Sequence, residues 1–192
     1  MSIDYGYMSK REDDAMPIIF CKDSKSKYHA SSMLKSKGND KHAMLFLKSV
    51  IRTLGYRRIN LKSDNEPALI ALKNAIIEST PEVEIIPRES PEGDHQANGD
   101  AECAVREIKR MIRRISTSLE EKLGQRLPLD HPLRAWVPLF AAKSISNYRM
   151  GSDGLTPQIR LTGKPWRKES IAFGEKIYIK PVNTQELSLI HI

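Results

Sequence analysis

The first third of the chain alternates short apolar runs with polar breaks, a pattern typical of consecutive strands. Apolar or alternating segments cover residues 2–8, 16–21 and 27–34. The polar segment 9–15 between the first two predicts a hairpin turn. Three such segments in close succession favour three antiparallel strands.

Helical spacing replaces this alternation after Gly38. Asp40 precedes a stretch with apolar residues at intervals of three and four, which predicts a capped amphipathic helix ending at Gly55. A short strand is predicted over 58–62. Pro67 suits the first position of the next helix.

The remaining pattern predicts two strands and two long helices. Pro81 ends the preceding helix, 83–86 reads as a strand, and 87–99 is rich in loop-forming residues. An apolar stripe then predicts a helix from Asp100 to a stop at Gly124. A further helix is predicted over 132–148 with a kink at Pro138, then a turn-rich segment over 151–165 and a strand over 173–180.

The order of these elements is strand, strand, strand, helix, strand, helix, strand, helix, helix. Paired strands followed by strands that alternate with helices predict an α/β fold, with a mixed five-stranded sheet flanked by helices. In such a sheet, three strands are antiparallel and the two later ones are parallel.

Composition excludes several classes of protein. The 192 residues include only two cysteines and five histidines, too few for a disulfide framework or a zinc finger. No apolar run approaches the roughly 20 residues that span a bilayer, and the first ten residues lack signal-peptide features. We therefore expect an intracellular protein with no membrane partner.

The distribution of charge indicates a polyanionic partner. The formal net charge is +7, and all of this excess falls in residues 101–192, since residues 1–100 carry equal numbers of basic and acidic residues. A basic half beside a neutral half favours nucleic acid binding. A merely solvated basic surface is the alternative interpretation.

Three acidic residues could form a metal centre. Asp4 lies in the first strand, Asp64 follows the fourth, and Glu102 opens the long helix. Carboxylate oxygens are preferred ligands of Mg²⁺, and paired ions support phosphodiester chemistry. The alternative is structural: Asp64 would cap the helix that follows it, and Glu102 would favour the N-terminal pole of its own helix.

The motifs around these residues resemble the catalytic core of retroviral-type integrases. Asp4-Tyr5, the block 62–66 (KSDNE) and the block 96–102 (QANGDAE) occur in the same order, and 37 residues separate Asp64 from Glu102, close to the interval in that family. The step Asn98-Gly99-x-x-Glu102 is most similar to the Copia class of LTR retrotransposons. Downstream segments 154–157, 163–165 and 173–175 extend the resemblance.

The resemblance implies an RNase H-like fold with a catalytic and metal-binding triad of Asp4, Asp64 and Glu102. It further implies two Mg²⁺ or Mn²⁺ ions and an enzyme of the polynucleotidyl transferase and endonuclease type. The reactions would be processing of the element's 3′ ends and strand transfer into target DNA. A homo-oligomer acting on DNA, in virus-like particles, cytoplasm and nucleus, is expected with it.

The helix that starts near Glu102 carries a basic row. Arg106 and Lys109 lie four and seven residues beyond Glu102, and Arg113 continues the same face. Such a row can hold a phosphate backbone beside a metal site. The resemblance assigns DNA contacts to Arg106 and Lys109, and we extend them to Arg113 and Asn98; a solvated face is the alternative.

The domain boundaries follow from the same comparison. Residues 1–150 are expected to form the integrase core and 151–186 a post-core segment, whereas 187–192 fit no pattern and are expected to be a non-native tail. The family's His-His-Cys-Cys zinc module is not found, which suggests a fragment of a polyprotein. Two other functions stay open: an inactive DNA-binding or assembly module, and an RNase H-type nuclease.

Overall fold

A five-stranded mixed sheet between two helical layers forms the centre of the protein, as seen in a computed structural model. The structure describes residues 1–8, 16–89, 99–128, 130–168, 171–179 and 188–191. The predicted turn at 9–15 lies outside these residues, as does most of the predicted loop before the long helix.

The strands of the main sheet are β1 (Ser2–Gly6), β2 (Ile18–Lys22), β3 (His29–Met33), β4 (Arg58–Ser63) and β5 (Glu84–Glu89). The helices are α1 (Lys41–Leu54), α2 (Pro67–Ser79), α3 (Gly99–Leu123), α4 (Leu133–Tyr148) and α5 (Pro157–Thr162). Two further strands, β6 (Lys176–Ile179) and β7 (Ser188–His191), pair with each other.

The sheet order is β3-β2-β1-β4-β5. Strands β1, β2 and β3 are antiparallel, whereas β4 is parallel to both β1 and β5. The predicted RNase H-like α/β fold, with three antiparallel strands followed by two parallel ones, is therefore confirmed. This order makes β1 and β4 direct neighbours at the centre of the sheet.

Side-chain alternation along β2 separates two hydrophobic cores. Ile19 and Cys21 pack on one face with residues of α1 and α2, while Ile18 and Phe20 pack on the other with residues of α3 and α4. Successive residues of a strand point to opposite faces of the sheet. The helix with the basic row thus lies over the face that Phe20 occupies.

Helix ends follow the predicted signals. The Asp40 carboxylate accepts hydrogen bonds from the backbone N–H groups of His42 and Ala43 at 3.0 and 3.2 Å, so it caps α1. Gly55 and Gly124 follow α1 and α3 with φ of 65°, the left-handed conformation that favours glycine at this position. The kink at Pro138 stays a prediction.

Two strand boundaries differ from the prediction by three residues. Strand β5 continues through Pro87 to Glu89, where a loop was predicted. Because β5 is an edge strand, the missing N–H of Pro87 costs no ladder bond on its open side. Residues 173–175 precede β6 instead of belonging to it, since its ladder starts at Lys176.

The segment 151–165 contains the short helix α5, which the prediction missed. Thr156 caps it by accepting from the Ile159 N–H at 3.3 Å, and Gly163 ends it with φ of 71°. Six residues are too few to show helical periodicity. Ser188–His191, within the segment that we expect to be a non-native tail, pair with β6. Among the described helices, none has the length and apolar character needed to cross a bilayer.

Candidate active site and nucleic-acid interface

Asp4 and Asp64 lie together where two parallel strands run side by side. Asp4 is the middle residue of β1, and Asp64 comes directly after the end of β4. Ile3 and Tyr5, the neighbours of Asp4, pack in the core with α1 and α2. Because successive residues of a strand point to opposite faces, Asp4 faces the α3 side of the sheet. Burial, together with the charge of nearby Asp64, raises the pKa of Asp4 to about 6.

Local hydrogen bonds hold both carboxylates. The Tyr5 N–H donates to Asp4 Oδ1 at 2.7 Å, which opposes part of the rise in the Asp4 pKa. The Glu66 N–H donates to Asp64 Oδ1 at 3.2 Å. The N-cap of α2 is Glu66, not Asp64, so the structural alternative that assigned Asp64 to capping is wrong.

Lys109 of α3 is a cation that lies near Asp4. Its charge lowers the pKa of Asp4, and its Nζ lies 3.2 Å from the position that a Cβ on Gly6 would take. A side chain at Gly6 would crowd this approach. The absence of one lets the lysine lie over β1 beside the carboxylates.

Glu102 lies on an exposed position in the first turn of α3. Within the described residues, no three acidic, histidine or cysteine side chains come close enough together to hold a metal ion. Glu66 also raises the pKa of Asp4, but its carboxylate is bonded to Lys37 Nζ at 2.7 Å. The structure therefore brings Asp4, Asp64 and Lys109 together and leaves Glu102 outside the group.

The basic row on α3 is largely exposed, as its proposed role requires. Arg106 and Arg113 are exposed and Lys109 is half-buried, on the face that begins at Glu102. The opposite face packs in the core through Ala104, Ile108 and Ile112. Asn98, predicted to contact DNA, lies outside the described residues.

Glu107 links α3 to β3 and to the end of α4. The one sign of this role in the sequence is an acidic residue within a basic run. Its carboxylate bonds to His29 Nε2 at 2.9 Å and to Arg149 Nη1 at 2.8 Å. The hydrogen bond from His29 is the main cause that lowers the pKa of Glu107 to about 2. At the start of α3, Asp100 lies 3.7 Å from Lys22 Nζ, a second attachment to the sheet.

Solved structures of integrase catalytic cores share this architecture. The BIV integrase core superposes with a TM-score of 0.58 at 18% identity, covering 84% of this chain and 92% of that one. The HTLV-2 integrase core in complex with magnesium, in a trimeric form, gives 0.61 at 17%, covering 83% and 93%. The fold is that of a retroviral integrase core.

A longer integrase structure shows the same likeness. The simian T-cell lymphotropic virus intasome, in complex with the PP2A regulatory subunit B56 gamma, gives a TM-score of 0.64 at 14% identity. The alignment covers 97% of this chain but 65% of that one. No protein-family model and no curated protein matches the sequence. At these identities the likeness establishes the integrase-core fold and leaves the chemistry to the residues of this chain.

Proposed function

We propose that this chain is the core of a DNA integrase that processes the 3′ ends of a retroelement and transfers them into target DNA. The observation that carries the proposal is the Asp4–Asp64 pair on neighbouring strands, beside Lys109. It supports chemistry at phosphorus because it combines a site for a divalent cation with a cation for the phosphate.

The carboxylate pair fits a divalent metal. Neither Asp4 nor Asp64 forms a salt bridge with any described residue, and burial, followed by the charge of Asp64, raises the pKa of Asp4. Hard carboxylate oxygens are suitable ligands for Mg²⁺ or Mn²⁺. When bound, such ions would activate the attacking oxygen and stabilise the leaving one. Asp4 and Asp64 would hold these ions. We propose Glu102 as the third ligand and two as the number of ions bound.

The protein's own groups would then position the DNA. Lys109 would bind the phosphate next to the carboxylates, and Arg106 and Arg113 would hold the backbone further along α3. Both proposed steps are displacements at phosphorus, first by water and then by the freed 3′-OH. Since the nucleophile comes from water or DNA, no side-chain nucleophile is needed, and alignment supplies much of the rate. A homo-oligomer would bring two DNA ends together.

One observation favours a second candidate function. Glu102 stands apart from Asp4 and Asp64, so the described residues hold two carboxylates instead of three. A chain that kept this arrangement when bound to DNA would be a binding or assembly module without catalysis. The two functions differ in whether divalent metal draws Glu102 toward the pair.

The decisive experiment uses a branched DNA in which an element end is already joined to a target strand. Release of the element end, with resealing of the target strand, is the reverse of strand transfer. We expect Mg²⁺- or Mn²⁺-dependent release of the element end by the chain, lost in Asp4→Asn, Asp64→Asn and Glu102→Gln, and kept in Glu121→Gln, an exposed acid near the end of α3. Activity that survives Asp64→Asn would overturn the proposal. Metal-dependent cutting of an RNA·DNA hybrid without any joining would assign the site to a nuclease.

A further inference from the structure

A groove lies between α3 and α4, on a different side of α3 from Lys109. Its volume is about 790 Å³. Arg110 and Arg114 line it from α3, while Tyr148 and Arg149 line it from the end of α4. Residues 171–173 form a further wall. The proposed integrase chemistry assigns no role to this groove.

The groove combines positive charge with an aromatic floor. Phe140 and Phe173 lie at its base with ring centroids 5.2 Å apart. Arg110 and Arg114 are exposed and form no salt bridge with any described residue. Glu107 is the acidic member of the lining, and its carboxylate is already bonded to His29 and Arg149. The charge that remains available in the groove is therefore positive.

Size and position indicate the occupant. A groove of this volume can hold a few nucleotides, but it is too small for a DNA duplex. The groove borders the helix whose neighbouring face carries the proposed DNA row, so a strand that leaves the duplex there would reach it. Arginines beside exposed aromatic rings are the combination that binds single strands, with phosphates on the cations and bases stacked on the rings. Tyr148 is 45% exposed and offers such a ring.

We propose that this groove binds the unpaired nucleotides at the end of the DNA held by the integrase core. Arg110 and Arg114 contact the phosphates, and a base stacks on Tyr148. The proposal rests on the proposed function for the identity of the DNA, but it concerns binding alone and needs no metal. It is therefore tested in the presence of EDTA.

The test compares two fluorescent DNA probes by anisotropy. One is a blunt duplex, and the other is the same duplex with a single-stranded extension of a few nucleotides. We expect the extension to tighten binding about tenfold, since stacking one base contributes about that much. Arg110→Ala with Arg114→Ala should remove this gain, as should Tyr148→Ala, whereas Tyr148→Phe should keep it. Arg52→Ala, at an exposed position of α1 on the other side of the sheet, is the matched control.

The outcomes separate this inference from the proposed function. A chain that binds neither probe overturns both. Equal binding of the two probes overturns the groove assignment alone, as does a gain that persists in both the double-arginine variant and Tyr148→Ala. Two competitors are then added to the bound probe that carries the extension: an unlabelled single strand and a short acidic peptide with one aromatic residue. If the single strand displaces the probe and the peptide does not, the nucleic-acid assignment stands. The reverse result assigns the groove to a protein partner.

Discussion

Lys109 Nζ lies 3.2 Å from the position of a Cβ on Gly6, so the smallest residue of β1 accommodates the cation that faces Asp4. The ring of Phe20 lies at the same distance from that position and limits where a new methyl group could go. The carboxylate pair and the basic helix α3 are therefore coupled through the space that the missing side chain of Gly6 leaves on β1.

This relationship predicts the effect of Gly6→Ala. The methyl group should displace the Lys109 ammonium and raise the pKa of Asp4 further, because the lysine now lowers it. NMR titration of the Asp4 carboxyl carbon measures this directly. The same substitution made in a Lys109→Ala background should leave the Asp4 pKa unchanged. A shift of equal size in both backgrounds would show that Lys109 is not the link.

Asp4→Asn should stabilise the fold at neutral pH. The folded-state pKa of Asp4 is about 6 against an ordinary value of 3.8, so the folded chain binds the proton more tightly and loses stability as the pH rises from about 4 to 6. Removing the charge should raise the free energy of unfolding at pH 7.5 by about 1–2 kcal/mol. Urea unfolding at pH 4 and 7.5 measures it, with Glu121→Gln as the control. No gain at pH 7.5 would contradict the prediction.

Metal should reverse this order of stability. Mg²⁺ or Mn²⁺ bound between Asp4 and Asp64 should raise the Tm of the unsubstituted chain, because a ligand that binds only the folded state stabilises it. Asp4→Asn and Asp64→Asn should lose that increase. Calorimetry with and without metal gives the comparison, and an equal rise in all three chains would place the metal elsewhere.

Glu107→Gln should destabilise the protein in a pH-dependent way. The pKa of Glu107 is lowered from 4.5 to about 2, so its contribution is present above about pH 4.5 and is lost as the pH falls toward 2. Substitution should cost about 2 kcal/mol at pH 7, since it leaves His29 and Arg149 without their shared anion. Urea unfolding at pH 7 and pH 3 checks both points. A loss that is just as large at pH 3 would mean packing, not charge, is responsible.

Cys103 offers a reporter for the first turn of α3. It is partly exposed beside Glu102, whereas Cys21 is buried in the sheet with a raised thiol pKa. Thiol labelling should therefore modify Cys103 first and Cys21 only on unfolding. If metal draws Glu102 toward Asp4 and Asp64, it should slow Cys103 labelling in the unsubstituted chain but not in Glu102→Gln. Unchanged labelling would favour the module without catalysis.

The basic row should show itself in the salt dependence of DNA binding. Arg106→Ala and Arg113→Ala should each weaken duplex binding and reduce the slope of log affinity against log salt by about 1. Arg52→Ala on the other side of the sheet should leave the slope unchanged. Slopes that fall equally for all three would indicate diffuse attraction and no defined row.

Local signals predicted most of the elements because they act within a few residues. The Asp40 cap, the Gly55 and Gly124 stops and the apolar stripe of α3 depend on backbone geometry that neighbouring side chains decide. The signals failed where pairing at a distance overrides them. Strand β5 continues through Pro87 because β4 is there to pair with it, and α5 is too short for periodicity to reveal.

The sequence by itself determined most of the order of strands and helices, the basic face of α3 and the acids from which a site could be built, since each depends on residue type and spacing. Only the tertiary structure decided which of them meet. Sheet order makes β1 and β4 neighbours and so joins Asp4 to Asp64, while the packing of α3 brings Lys109 over Gly6 and leaves Glu102 exposed. Contacts between elements depend on how whole faces pack, and residue spacing along one chain does not contain that information.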